Sequence, residues 1–166
     1  MAVEKQKLVG RHRKVAFMKT EENVFSRMTG FTSLSEKKNP KEYNRQYVDE
    51  VSERSDVVGY ATSYDYEFDR YTENPVHKQL ATIADDEIVG ADAQVDIVVV
   101  DLFEKTTGDA CTARKRTYSV IPDTTGDGTD ALVYKGSLKL ASELTKGTCT
   151  SNDDWKTCTF KETSVG

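Results

Sequence analysis

Chemistry needs nucleophiles, acid–base groups or metal ligands at workable spacings, and this chain supplies few. Its two histidines, His12 and His77, fall in different kinds of segment, with no cysteine or carboxylate at metal-ligand spacing. Cys111, Cys149 and Cys158 form no C-x-x-C pair, and no local motif ties one of them to a histidine as a nucleophile would require. Asp123-Thr124-Thr125-Gly126-Asp127-Gly128 begins like a calcium loop, with oxygens at alternate positions and a glycine at the sixth. The bidentate carboxylate of such a loop belongs where Tyr134 stands, and no helices flank the segment, so it is read as a Gly/Asp hairpin turn. The acid runs Asp85-Asp86-Glu87 and Asp153-Asp154 read as solvated loop charges. Arg114-Lys115-Arg116 reads as a solvated or interface strand whose alternate residues face opposite ways. Phosphate-binding, dinucleotide-binding and nucleophile-elbow motifs are absent from the sequence. No enzymatic activity, cofactor or metal is expected.

The elements that would position any site are mostly strands, punctuated by Gly, Pro, Asn and Asp in the manner of an all-β sandwich or barrel. Leu132–Leu144 places Leu132, Tyr134, Leu138, Leu140 and Leu144 on one face and Lys135, Ser137, Lys139 and Glu143 on the other. Val95–Phe103 is apolar on both faces, as in a central strand covered on two sides. Residues 112–121 form another strand, ending in a turn at Pro122-Asp123, and Trp155–Phe160 a closing one. Lys14–Met18 and Phe25–Ser35 are strands near the front, the second with a bulge at Gly30. One segment breaks the pattern. Asn74 is a capping residue followed by Pro75 at the first helical position, and Val76, Leu80, Ile83 and Ala84 follow at helical spacing, so a helix is predicted over Pro75–Asp86 with its apolar stripe on the sheet.

Lys41–Tyr71 reads as two long strands joined around Ser52–Asp56. In the first, Tyr43, Arg45, Tyr47 and Asp49 alternate with Glu42, Asn44, Gln46 and Val48. In the second, Tyr64, Tyr66 and Phe68 alternate with Asp65, Glu67 and Asp69. A hairpin without a monomer core is unstable alone in water, so Tyr43, Arg45, Tyr47, Tyr64, Tyr66 and Phe68 are candidate contacts with another chain.

The chain has 166 residues and net charge −5, which fits one domain after a short terminal arm. The charge is unevenly spread: residues 1–20 hold six cations against Glu4, a surplus of +5, so residues 21–166 carry −10. The acidic body disfavours stable nucleic-acid binding. Residues 1–13 read as a flexible arm, with Lys7, Arg11 and Arg13 placed to dock on an acidic neighbour. The longest apolar run, Ile97–Val100, is strand-sized, far below the roughly 18–20 residues that span a bilayer, so no membrane partner is expected. Nothing in the first thirty residues reads as a secretory signal, and an odd count of three cysteines fits a reducing cytoplasm.

These phrases carry a resemblance. The string from Lys7-Leu8-Val9-Gly10-Arg11-His12-Arg13-Lys14-Val15-Ala16-Phe17-Met18 through Phe25-Ser26-Arg27-Met28-Thr29-Gly30-Phe31-Thr32-Ser33-Leu34-Ser35 resembles the opening of tail tube (major tail) proteins from phages and prophages of Gram-positive bacteria. The likeness continues through Asn39–Tyr43, Arg45–Glu50, Asp56–Tyr60, Asn74–His77 and Tyr118–Asp123, nearly the whole chain. It implies a mainly β domain of the tail-tube type, a sandwich or barrel over residues 14–166 with one flanking helix and a long hairpin, assembling as hexameric rings. It also implies a conduit that passes genome and tape measure protein without catalysis, built in the bacterial host cytoplasm and resident in the virion. Its partners would be further copies, tape measure protein, tail terminator and distal tail protein. Contractile and non-contractile particles both belong to the family, so a sheath partner stays open. A conduit wall should repel phosphate, which places Glu42, Asp49, Glu50 and Glu53 on the lumen.

Two readings compete. A monomeric β-sandwich adhesion or carbohydrate-binding module would use Tyr43, Tyr47, Tyr60 and Trp155 as contacts. A nucleic-acid-binding protein would use the basic arm and show salt-sensitive affinity.

Overall fold

The structure, a computed structural model, describes residues 6–126 and 128–163; Met1–Lys5 of the basic arm, Asp127 and the last three residues lie outside the described residues. The chain is mainly β with one α-helix and clusters into two compact units, neither continuous in sequence.

Among the described residues, the first unit takes 6–29, 95–116 and 143–163. Its strands are β1 (Lys14–Glu21), β2 (Val24–Arg27), β7 (Gln94–Lys105), the first part of β8 (Cys111–Thr125), β10 (Thr145–Thr150) and β11 (Thr157–Glu162). They run in the order β10-β11-β2-β1-β7-β8, and β8 pairs again with β10, closing a six-stranded barrel. Alternation decides the interior: Val15, Phe17, Phe25, Val98, Val100, Leu102, Cys111, Ala113, Cys149 and Cys158 fill it, with Trp155 and Phe160 packed against them. Rings meet at tilted or edge-on angles, Phe17 and Trp155 at 6.2 Å and Phe25 and Phe160 at 6.5 Å between centroids. Gly147 is required there, because a Cβ would stand 2.2 Å from the Lys161 carbonyl oxygen and 2.6 Å from the Phe160 ring. As its composition predicts, β7 is buried on both faces, Val98 and Val100 inward and Val95 and Ile97 on the opposite side.

Among the described residues, the second unit takes 30–94, 117–126 and 128–142. The remainder of β8, then β9 (Val133–Leu140), β6 (Ser63–Asp69) and β3 (Phe31–Lys37) form its sheet in that order. On β9 the buried positions are Tyr134, Gly136 and Leu138; the strand stops at Leu140, so Leu132 and Leu144 lie beyond its ends and are exposed. Helix α1 (Pro75–Asp85) forms where the capping signal places it. Asn74 Oδ1 accepts from the N–H groups of Val76 and His77, at 3.1 and 3.2 Å, satisfying two donors that the first turn leaves open. Val76, His77, Leu80, Ala81 and Ile83 are its buried side. It is tied to the sheet at both ends: the His77 ring stacks on Phe68 at 4.5 Å, and Tyr134 Oη donates to Asp85 at 2.9 Å. A separate two-stranded sheet, β4 (Pro40–Arg45) with β5 (Arg54–Tyr60), forms an arm.

The closing strand runs over Thr157–Glu162 rather than Trp155–Phe160, and three larger differences from expectation each have a backbone reason. Phe25–Ser35 is two strands, not one bulged strand, because Gly30 adopts φ +75° and turns the chain; a side chain there would also meet the His77 ring at 2.9 Å. Pro122-Asp123 is not a turn: β8 runs on to Thr125, absorbing the proline at a register shift between Pro122 and Thr124. The reversal falls at Gly126, φ +85°, whose N–H donates to the Val133 carbonyl at 2.8 Å. Tyr64, Tyr66 and Phe68 belong to β6, not to the hairpin, because the chain breaks at Ala61-Thr62 and re-enters the main sheet between β3 and β9.

Replacing Asn74 with Ala should lower unfolding free energy by about 1 kcal/mol. The measurement is a denaturant titration in which the midpoint falls at unchanged slope; an unshifted midpoint would show that the cap is idle.

Candidate assembly surface

The arm begins at a clamp. Asn39 Nδ2 donates to the Ala61 carbonyl at 3.1 Å and to Ser63 Oγ at 3.0 Å, and the Ala61 N–H donates back to the Asn39 carbonyl at 3.2 Å. Beyond it, β4 and β5 pair from Pro40 with Tyr60 to Arg45 with Arg54, through a bulge between Lys41 and Glu42. Facing residues share a side in an antiparallel pair, so Tyr43, Arg45, Arg54 and Asp56 form one face and Glu42, Asn44, Ser55 and Val57 the other.

The first face is held by a guanidinium. Arg45 lies over the rings of Tyr43 and Tyr47, at 5.1 and 5.5 Å from their centroids. Its Nε donates to Tyr47 Oη at 2.8 Å, and Nη2 pairs with Asp56 at 2.6 Å. The hydrogen bond with Tyr47 and then the one with Asp56 raise the Arg45 pKa above its usual value. Arg54 makes a two-pronged contact with Glu50, at 2.6 and 2.7 Å, and lies over the Tyr47 ring at 5.6 Å. Gln46 Nε2 closes the tip by donating to the carbonyls of Glu50 and Val51. No apolar core supports any of this, and Val48, Val51, Val57, Val58 and Tyr60 stand in solvent, Val48 and Val51 almost wholly.

Of the residues expected to contact another chain, Tyr43 and Tyr47 are exposed and Arg45 is half-buried between them. Tyr64, Tyr66 and Phe68 are not available: their side chains are 4 %, 3 % and 0 % exposed inside their own unit. They alternate with Asp65, Glu67 and Asp69 because β6 has one wet face, where Lys37 pairs with Asp65 and Lys135 with Glu67. Burial pushes the Tyr66 hydroxyl up to about 12. In the basic arm, Lys7 is exposed, while Arg11–Arg13 form a 3-10 turn in which Arg11 donates to the Lys14 carbonyl and Arg13 to the Leu102 carbonyl. Among the acids assigned to a lumen, Glu42, Asp49 and Glu53 are exposed, whereas Glu50 is occupied by Arg54.

The other reactive side chains have structural partners. His77 is fully buried and its Nδ1 accepts from the Tyr71 N–H at 3.1 Å. All three cysteines are free and buried, with Cys111 directly opposite Cys149. Burial raises the Cys111 pKa, and the bond to the Cys149 thiol followed by burial raises that of Cys158, so both stay protonated. Trp155 lies half-buried against the barrel core rather than on a binding face. Asp153 accepts from the Thr157 hydroxyl and N–H and from Ser151, which lowers its pKa to about 2. Sequence reasoning missed Asp101, a carboxylate inside the apolar run of β7. Its side chain is 5 % exposed and ion-paired with Lys14 at 3.4 Å and Arg114 at 3.0 Å; a charge among valines was the available signal.

No known protein family and no curated protein matches the chain. Among solved structures, it is similar to a chain in the cryo-EM structure of the anti-feeding prophage baseplate, 6-fold symmetrised, at 11 % identity and TM-score 0.48, covering 86 % of this chain and 97 % of that one.

Replacing Arg45 with Ala should speed amide exchange across β4 and β5 while leaving β7 unchanged; unaltered protection in the arm would refute the central role of the guanidinium. Asp153 makes a second expectation. Its folded pKa lies below the ordinary value of about 3.9, so its stabilisation is complete above that pH and lost as pH falls through about 2. The stability gap between the wild type and Asp153→Asn should shrink across that window in pH-dependent denaturation; a constant gap would exclude the linkage.

Proposed function

We propose that the chain is a structural subunit of a tail tube in a phage or phage-derived particle, stacking as hexameric rings into a hollow conduit for genome and tape measure protein. The observation that carries the reading is the arm. A two-stranded ribbon has too little core to be stable by itself, yet this one extends five large apolar side chains into water. Clusters of exposed apolar side chains of this kind mark interaction sites. A second copy of the same chain supplies such a surface at every subunit without any further gene product. The closed barrel is compatible with this reading, since its six strands leave no edge open to indiscriminate pairing, and the strand edges with one neighbour are those of β3 and of the arm.

Two features of the sequence agree. The resemblance to tail tube proteins runs from Lys7 to Asp123, and the −10 balance of residues 21–166 suits a wall past which DNA must slide rather than bind. In this role the chain meets tape measure protein along the tube, and terminator and distal tail proteins at its ends.

Light scattering after size-exclusion chromatography, with negative-stain microscopy, tests the proposal. Rings or tubes are expected. A monomer near 18.6 kDa at all concentrations would favour an adhesion module instead. Val57→Asp combined with Val58→Asp should abolish polymerisation while leaving the β-type circular dichroism intact, and normal tubes from that variant would remove the arm from the assembly contacts.

A further inference from the structure

The outer face of the barrel carries a row of charge that its own unit does not balance. Lys14, Asp101, Arg114 and Lys146 sit on β1, β7, β8 and β10, each next to a residue that points inward, so all four point out. Lys14 is the register partner of Asp101, Arg114 bonds to Asp101 at 3.0 Å, and Lys146 is the register partner of Arg114. Two of the three cations, Lys14 and Arg114, therefore share one buried carboxylate, and Lys146 stands beside them. Arg114 and Lys146 are like charges directly opposite each other, an arrangement that destabilises a sheet. Asp101 relieves Arg114, but Lys146 is exposed and has no ion pair among the described residues. In a chain of net charge −5, this is a local surplus of positive charge with an unanswered member.

The arm shows the opposite imbalance. Arg45 with Asp56 and Arg54 with Glu50 cancel within it. What is left is Lys41 against Glu42, Asp49 and Glu53, all exposed, and the three acids have no ion pair among the described residues.

We infer that the row Lys14–Arg114–Lys146 is the docking site for the acidic arm of a second copy of this chain. The inference rests on the reading of the chain as a self-assembling subunit and specifies where the arm lands. The occupant follows from charge complementarity, since the row is basic by about as much as the arm is acidic. A nucleic-acid occupant is disfavoured by the acidic balance of the rest of the chain. The assignment moves Glu42, Asp49 and Glu53 from a lumen wall to a contact between subunits. Arg114 anchors the row by covering Asp101; Lys146 is the cation left for the partner.

The test is charge reversal and rescue in the purified full chain, read as the critical concentration for assembly by light scattering. Lys146→Glu alone and Glu53→Lys alone should each raise it about tenfold. The double variant Lys146→Glu/Glu53→Lys should return it to within about threefold of wild type, the recovery a reversed pair allows. Lys146 is exposed and faces a like charge, so Lys146→Glu should melt no lower than wild type, and Lys146→Gln provides a neutral control expected to fall between. Replacing residues 41–59 by a short glycine-serine link separates the outcomes. If the arm deletion abolishes assembly while both reversals assemble like wild type, the arm docks elsewhere and this inference fails alone. If the deletion leaves assembly intact, the reading of the arm fails and takes the inference with it. If Lys146→Glu leaves assembly unchanged but weakens salt-sensitive binding of duplex DNA, the row is a phosphate surface and the inference is overturned.

Discussion

The first unit depends on one seam. Where β8 meets β10, the inward positions are Cys111 opposite Cys149 and Ala113 opposite Gly147, the smallest set of side chains in the barrel wall. Their smallness leaves room for Phe160 over Gly147, while larger inward residues, Phe17 and Phe25, line β1 and β2. A closed sheet of few strands needs this alternation of small and large, since the interior is filled by side chains alone. A larger residue at Gly147 would force β11 and its ring outward, and with the seam open the wall would gain two unpaired edges.

The second unit solves a different problem. Its sheet and helix share an aromatic stack in which Phe68 lies between Tyr134 and His77, nearly parallel to the first and 22° from the second. The arm has no such core and relies on charge over rings. Arg45 and Arg54 both face Tyr47, and each has its own carboxylate, so the ribbon is ordered by interactions that water weakens but does not remove. That economy leaves the valines of the arm largely in solvent.

How much of this was legible follows from where the information lies. Helix α1 was readable to one residue because Asn74-Pro75 is a local signal and the cap forms as such signals do. The burial of β7 on both faces was readable because its composition allows nothing else. Tyr64, Tyr66 and Phe68 were misread for a non-local reason: their alternation with acids is compatible with a half-buried strand and with an interface ribbon. Only the break at Ala61-Thr62 and the pairing with β3 and β9 distinguish the two. Gly30 and Pro122 were both recognised as breakers, but whether a breaker divides strands or is absorbed in a bulge depends on the neighbouring strand, which a sequence does not display. Closure of the barrel was equally hidden, since the pairing of β8 with β10 joins segments some thirty residues apart.

The three thiols have a use that their chemistry alone would not suggest. All of the cysteines in the chain sit inside the barrel, where no reagent reaches them while the seam holds. In the assembly proposed above, a particle would pass from a reducing interior to oxidants outside, and subunits packed side by side would be prone to random cross-links if any thiol lay on a contact. With all three thiols buried, such a polymer would offer none of them to a neighbour and would age without covalent scars.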